Sequence, residues 1–139
     1  MSNKIAGGCY CGKVKFAFSG PASGVINCHC GMCRALSGAD YTSWVVVPRA
    51  NLEFEAGESE MHTFKVSDQS EKSFCSHCGT PVITLDNKYP DIYAFPRGIL
   101  KEALQEDIQG HYFVTDKASW IDIRDDLPKF GGESGYEKF

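Results

Sequence analysis

The chain has 139 residues, 42% hydrophobic and 23% charged, with 14 Gly and 6 Pro, a balance that suits a globular fold rich in turns and poor in long helix. Its formal charge is −4, and its 14 Lys and Arg are scattered with no basic run, which argues against nucleic acid as a partner. No stretch approaches the ~18 apolar residues of a membrane span, and the opening MSNKIAGGCY has no apolar run of a signal peptide. No membrane partner and a cytoplasmic location are therefore expected. One domain over 1–139 is expected, with no internal linker and a frayed tail over 131–139.

In chain order, Val14, Phe16 and Phe18 alternate with Lys13, Lys15 and Ala17, the period of a half-buried strand. MCRALSG (32–38) can form a helical turn or two, and YTSWVVVP (41–48) is β-prone. Leu52, Phe54 and Ala56 alternate with Glu53 and Glu55, and EFEAGESE (53–60) reads as a solvated edge and turn. Residues 61–75 read as a hairpin turning at SDQS, which delivers Cys75 at a strand end. PVITLD (81–86), DIYAFP (91–96), HYFV (111–114) and SWIDI (119–123) are further short strands, and GILKEALQ (98–105) is the other helical candidate. Met32, Trp44 and Trp120 are expected to pack. The fold class is mainly β, with few short helices.

Seven cysteines fall into three groups: Cys9 and Cys11 in GGCYCG; Cys28, Cys30 and Cys33 in CHCGMC; and Cys75 and Cys78 in FCSHCG. In a reducing compartment, an odd number of closely spaced thiols points to metal or redox chemistry over disulfides. A C-x-x-C turn aims both sulfurs at one ion, and a C-x-C pair puts both side chains on one face of an extended chain. Zinc takes four ligands in a structural site and keeps an open position in a catalytic one. Cys9, Cys11, Cys75 and Cys78 would make a closed set and leave three thiols in CHCGMC. Alternatively, Cys30 and Cys33 join Cys75 and Cys78. Loop closure does not choose, because the two arrangements differ by only about 0.4 kcal/mol.

GGCYCGKVKF (7–16), CHCGMCRALSGA (28–39), FCSHCGTPV (74–82) and KASWIDIRDDLPKF (117–130) together resemble the glutathione-dependent formaldehyde-activating enzyme family. That resemblance implies a β-tent of short antiparallel sheets built around two zinc ions. The matching positions are Cys9, Cys11, Cys75 and Cys78 for the structural zinc, and Cys28, Cys30 and Cys33 for the catalytic zinc. The implied activity is that of a carbon-sulfur lyase: addition of glutathione to formaldehyde to give S-(hydroxymethyl)glutathione. A relative of this fold is also the conserved domain of a centromere protein with a long basic extension, so a non-catalytic two-zinc scaffold is the alternative.

A zinc bound by three thiolates is a weak Lewis acid but can hold a fourth thiol deprotonated, so a thiol substrate, glutathione foremost, is expected at the open position. Arg34, directly after the cluster, could meet a substrate carboxylate. His29, His62, Asp40 and Tyr41 are proton-donor candidates by type. A site closed by His62, His77 or His111 is the competing arrangement, with His29 turned away from the ion.

Overall fold

The computed structural model describes residues 4–139. Its strands are Lys4–Gly8 (β1), Lys15–Ser19 (β2), Gly24–Cys28 (β3), Thr42–Pro48 (β4), Leu52–Ala56 (β5), Met61–Lys65 (β6), Ser70–Cys75 (β7), Pro81–Asp86 (β8), Ile92–Pro96 (β9), His111–Tyr112 (β10), Phe130–Gly131 (β11) and Glu137–Lys138 (β12). The one α-helix among the described residues is Gly31–Ser37 (α1). The chain is thus mainly β, in short antiparallel and mixed sheets, and no helix among the described residues is long and apolar enough to cross a membrane. It divides into two compact units, residues 4–23 with Val45–Glu106, and Gly24–Trp44 with Asp107–Phe139.

In the first unit β2 lies between β1 and β5, and β9, β8, β7 and β6 follow one another in a second sheet. Val14, Phe16, Phe18, Phe95 and Val82 are fully buried, each contributing about 1.5–3 kcal/mol of apolar transfer. The rings of Phe16 and Phe18 close on Phe95 at centroid separations of 5.0 and 5.5 Å. The expected hairpin is present: β6 pairs antiparallel with β7 from Met61 opposite Cys75 to Lys65 opposite Glu71, which leaves Cys75 at the end of its strand. Strand β1 escapes the sequence pattern because it ends in two glycines. A Cβ on Gly7 would stand 2.5 Å from the Phe16 ring, and one on Gly8 2.4 Å from the Val14 carbonyl, so the close approach to β2 requires the residues that depress strand propensity.

In the second unit β10 runs parallel to β3, with His111 opposite Asn27 and Tyr112 opposite Cys28. Strand β3 also escapes the pattern, because Asn27 is polar yet buried; its side chain accepts a hydrogen bond from Ser43 Oγ at 2.5 Å. The segment HYFV stops at Tyr112, since Phe113 turns to φ 58, a left-handed conformation uncommon for a residue with a Cβ. Toward the tail β11 pairs antiparallel with β12, and Tyr112 stacks on Phe130 at 4.6 Å.

Two expected elements differ. GILKEALQ forms only a 3-10 turn at Arg97–Ile99. Beyond it Leu100 bridges Gly7, and Lys101 N–H donates to the Ala6 carbonyl. Edge pairing with β1 satisfies backbone groups that a helix this short holds poorly against its nucleation cost. SWIDI is not a strand: Ile121 N–H closes a turn onto Ala118, and Lys117 Nζ caps the Ile121 carbonyl at 2.6 Å.

Candidate metal centres

The first unit gathers the sulfurs of Cys9, Cys11, Cys75 and Cys78 within 4.8 Å of one another. Two loops with the same closure bring them there. The Cys9 N–H donates to the Val14 carbonyl and the Cys75 N–H to the Thr80 carbonyl, each at 3.0 Å. Each loop turns on a left-handed glycine, Gly12 at φ 84 and Gly79 at φ 78, where a Cβ would be strained. Backbone donors point at the sulfurs, Val14 N–H at Cys9 and His77 N–H at Cys75. The Thr80 hydroxyl and backbone hold the Cys78 thiol down at about 5. The Tyr10 N–H reaches Thr80 Oγ1 at 3.1 Å and ties the loops together. Cys11 lies 3.6 Å from Cys9 and 3.7 Å from Cys75, sulfur to sulfur, close to the about 3.8 Å expected between thiolates on one tetrahedral zinc. The donor set fits zinc.

The second unit gathers Cys28, Cys30 and Cys33. Cys28 ends β3, Cys30 caps α1 and Cys33 lies in its first turn. The Cys30 sulfur accepts the Cys33 N–H at 3.3 Å, so a thiol fills the capping role usually taken by Ser or Asp. Gly38, left-handed at φ 68, ends the helix by donating to the Arg34 carbonyl, and the hydroxyls of Ser37 and Thr42 both donate to the Cys33 carbonyl. The thiols chain Cys33 to Cys28 at 3.1 Å and Cys28 to Cys30 at 3.4 Å. Cys30 only accepts, and the S–H groups of Cys28 and Cys33 bring its thiol down to about 2. Sharing a proton with Cys30 pushes Cys28 up. Three soft sulfurs suit zinc, and they need to spread by several tenths of an ångström to surround it.

Among the described residues no histidine or carboxylate joins that trio. His77 bonds Glu60, and His62 packs on Phe74, both in the first unit. Cys30 and Cys33 keep company with Cys28 and not with Cys75 and Cys78. Arg34 donates through Nε to the His29 carbonyl at 3.4 Å and through Nη2 to the Asp116 carbonyl at 3.0 Å. Asp40 accepts from Trp120 Nε1 at 2.9 Å, and Trp120 is 68% exposed, as Met32 is 47% exposed; neither is the packing residue expected.

His29 is fully buried with its ring against Tyr41 at 4.7 Å. Its Nε2 meets His111 Nδ1 at 2.8 Å, and His111 Nε2 meets Asp125 Oδ2 at 2.9 Å. Asp125 Oδ1 takes the Leu127 N–H, and the His111 N–H pairs with the Pro128 carbonyl. The hydrogen bond from the His111 ring at Nε2 holds the Asp125 carboxyl below its usual range. Burial above all, helped by the Lys117 and Arg34 charges, pushes His29 down to about 4. Nothing local in the sequence points to this chain of side chains, since 82 residues separate the two histidines.

The family model described as glutathione-dependent formaldehyde-activating enzyme matches residues 4–116. A crystal structure of a Rhodobacter sphaeroides protein has a similar fold, with a TM-score of 0.60 at 19% identity, over 74% of this chain and 96% of that one. The matched span takes in all seven cysteines, both groups that the fold assembles from them, and most of the strands; the chain belongs to the glutathione-dependent formaldehyde-activating enzyme family.

Proposed function

We propose that this protein is a carbon-sulfur lyase that joins a small thiol, glutathione foremost, to an aldehyde such as formaldehyde at the centre made by Cys28, Cys30 and Cys33. One observation carries this beyond family membership: three sulfurs converge with no fourth Cys, His, Asp or Glu among the described residues. Cys9, Cys11, Cys75 and Cys78 would hold a structural zinc whose four sulfurs complete its tetrahedron, and Cys28, Cys30 and Cys33 would hold the second. When bound there, zinc supplies one coordination position at which a thiol stays deprotonated near neutral pH.

In the overall reaction a carbon-sulfur bond forms, the carbonyl becomes a hydroxyl, and the thiol proton ends on that oxygen; no oxidant or reductant is needed. The chain's own residues prepare the site. Cys28 and Cys33 are buried, which keeps water from one side of the trio. The Cys30 sulfur is held in place by the Cys33 N–H. Arg34, anchored by two backbone carbonyls, would turn its remaining face to a carboxylate of the thiol substrate.

Metal analysis followed by chelator challenge tests this assignment, with two zinc ions per chain expected, one of them labile. Exchange between formaldehyde and S-(hydroxymethyl)glutathione should be accelerated, and Cys30→Ser should abolish the acceleration while keeping the inert zinc. Two equally inert ions with no acceleration would leave a non-catalytic zinc scaffold.

A further inference from the structure

His29 stands between two of the three sulfurs in sequence, and every polar group it has but one is tied down. Its N–H donates to the Tyr112 carbonyl at 2.9 Å, its carbonyl accepts from Arg34 Nε, and its Nε2 meets His111. Consecutive Cα atoms are about 3.8 Å apart, so fixing His29 at three points fixes the backbone that carries Cys28 and Cys30.

The hydrogen-bond network also assigns the protons. Asp125 uses both carboxylate oxygens as acceptors, one for Leu127 N–H and one for His111 Nε2, so His111 carries its proton on Nε2. With the rings neutral, His111 Nδ1 is then an acceptor, and His29 Nε2 must donate to it. His29 Nδ1 is left as a bare lone pair, buried and with no hydrogen-bond partner. A carboxylate nearly half exposed thereby sets, through His111, the tautomer of a fully buried ring.

We propose that Asp125 and His111 are positioning residues for the three-cysteine centre: through the tautomer and placement of His29 they hold the Cys28 and Cys30 sulfurs in metal-binding geometry. The proposal presupposes the centre described under the function above. It differs from an ordinary support role in two respects, because it predicts an effect confined to one of two centres in the same chain and an effect that depends on an acceptor at position 125. Outer hydrogen-bonding partners of metal sites commonly matter by 10- to 100-fold in affinity. Here the relay acts through backbone as well as side chain, so the lower end of that range is expected.

The experiment uses the full chain, with cobalt as a spectroscopic probe for zinc, in Asp125→Ala, Asp125→Asn and the wild type. Asp125→Ala should weaken cobalt binding at the three-cysteine centre about tenfold and alter its sulfur-to-metal charge-transfer bands, with the four-cysteine centre unchanged. Asp125→Asn keeps one acceptor oxygen for His111 Nε2 but loses the acceptor for Leu127 N–H, and should recover part of the affinity lost in Asp125→Ala. Long-range proton-nitrogen NMR should find His29 protonated on Nε2 in the wild type and lose that single tautomer in Asp125→Ala. Unchanged affinity in Asp125→Ala, or equal weakening of both centres, would overturn the relay. A wild type that takes no cobalt at Cys28, Cys30 and Cys33 would instead remove the functional reading. In that case the tautomer decides the relay alone: retained in Asp125→Ala it overturns it, and lost it upholds it.

Discussion

The two cysteine groups solve one chemical problem by opposite means. Cys9, Cys11, Cys75 and Cys78 come from two loops of the same closure, far apart in the chain, and each loop brings its own glycine and its own backbone donors. Cys28, Cys30 and Cys33 come from a single strand-to-helix junction, and their support comes from outside the segment, through Tyr112, His111 and Asp125. A centre that joins distant segments acts as a cross-link. One built on a local segment can leave a ligand position unused without loosening the fold, because the chain there is held by hydrogen bonds that do not pass through a metal.

The largest test of that contrast is Cys75→Ser. Structural zinc contributes on the order of 10–16 kcal/mol of apparent binding energy, as much as the whole stability of a typical domain. The variant should lose its cooperative thermal transition, whereas Cys30→Ser should keep it; circular dichroism during heating in excess zinc separates the two. Equal stability in both variants would erase the distinction between cross-link and local centre.

A smaller effect belongs to the second unit and depends on pH. His29 is neutral in the fold down to about 4, while the unfolded chain takes up that proton near ~6.5. The unfolded state therefore binds more protons between those values, and stability falls as pH drops from about 6.5 toward 4, by at most about 1.4 kcal/mol per pH unit. Above 6.5 the term is constant. Chemical denaturation in excess zinc at pH 7 and 5.5 should show a loss of about 1 kcal/mol that His29→Gln removes; an equal loss in the variant would assign it to other groups.

A comparable effect returns to the first unit. Gly79 has φ 78, and a Cβ there would meet nothing within 4 Å, so Gly79→Ala carries only the left-handed backbone cost, about 1–2 kcal/mol. Gly57→Ala adds a clash, since its Cβ would stand 2.1 Å from the Lys13 carbonyl oxygen. Urea midpoints should therefore rank wild type, then Gly79→Ala, then Gly57→Ala, and a Gly79→Ala midpoint equal to wild type would show that the cysteine loop does not need its left-handed turn.

The sequence discloses these regions unevenly. Alternation and the SDQS turn were enough to place Cys75 at a strand end, because hairpins are local and their pattern repeats every second residue. Strands β1 and β3 were hidden, because Gly7, Gly8 and Asn27 are present for close approach and for a buried hydrogen bond, and both requirements cut against strand propensity. GILKEALQ was misleading in the other direction, since its helical composition yields to pairing with β1. The spacing of the cysteines left two partitions open, and only the assembled fold separates them. The relay had no local signature at all. Asp125 lies inside the KASWIDIRDDLPKF segment that carries part of the family resemblance, yet its partner His111 is 14 residues earlier and becomes its neighbour only when Pro128 pairs with the His111 backbone.

Cys30 is both a sulfur of the trio and the cap of a helix of only seven residues, a length at which capping decides whether the helix holds. Substitutions there therefore separate two losses that would otherwise coincide. Serine removes the soft donor and leaves one of the best capping side chains, whereas alanine removes both and forfeits about 1 kcal/mol of helix stability besides. The difference between the two variants measures how much of the centre's geometry is owed to the helix, and how much to the strand that precedes it.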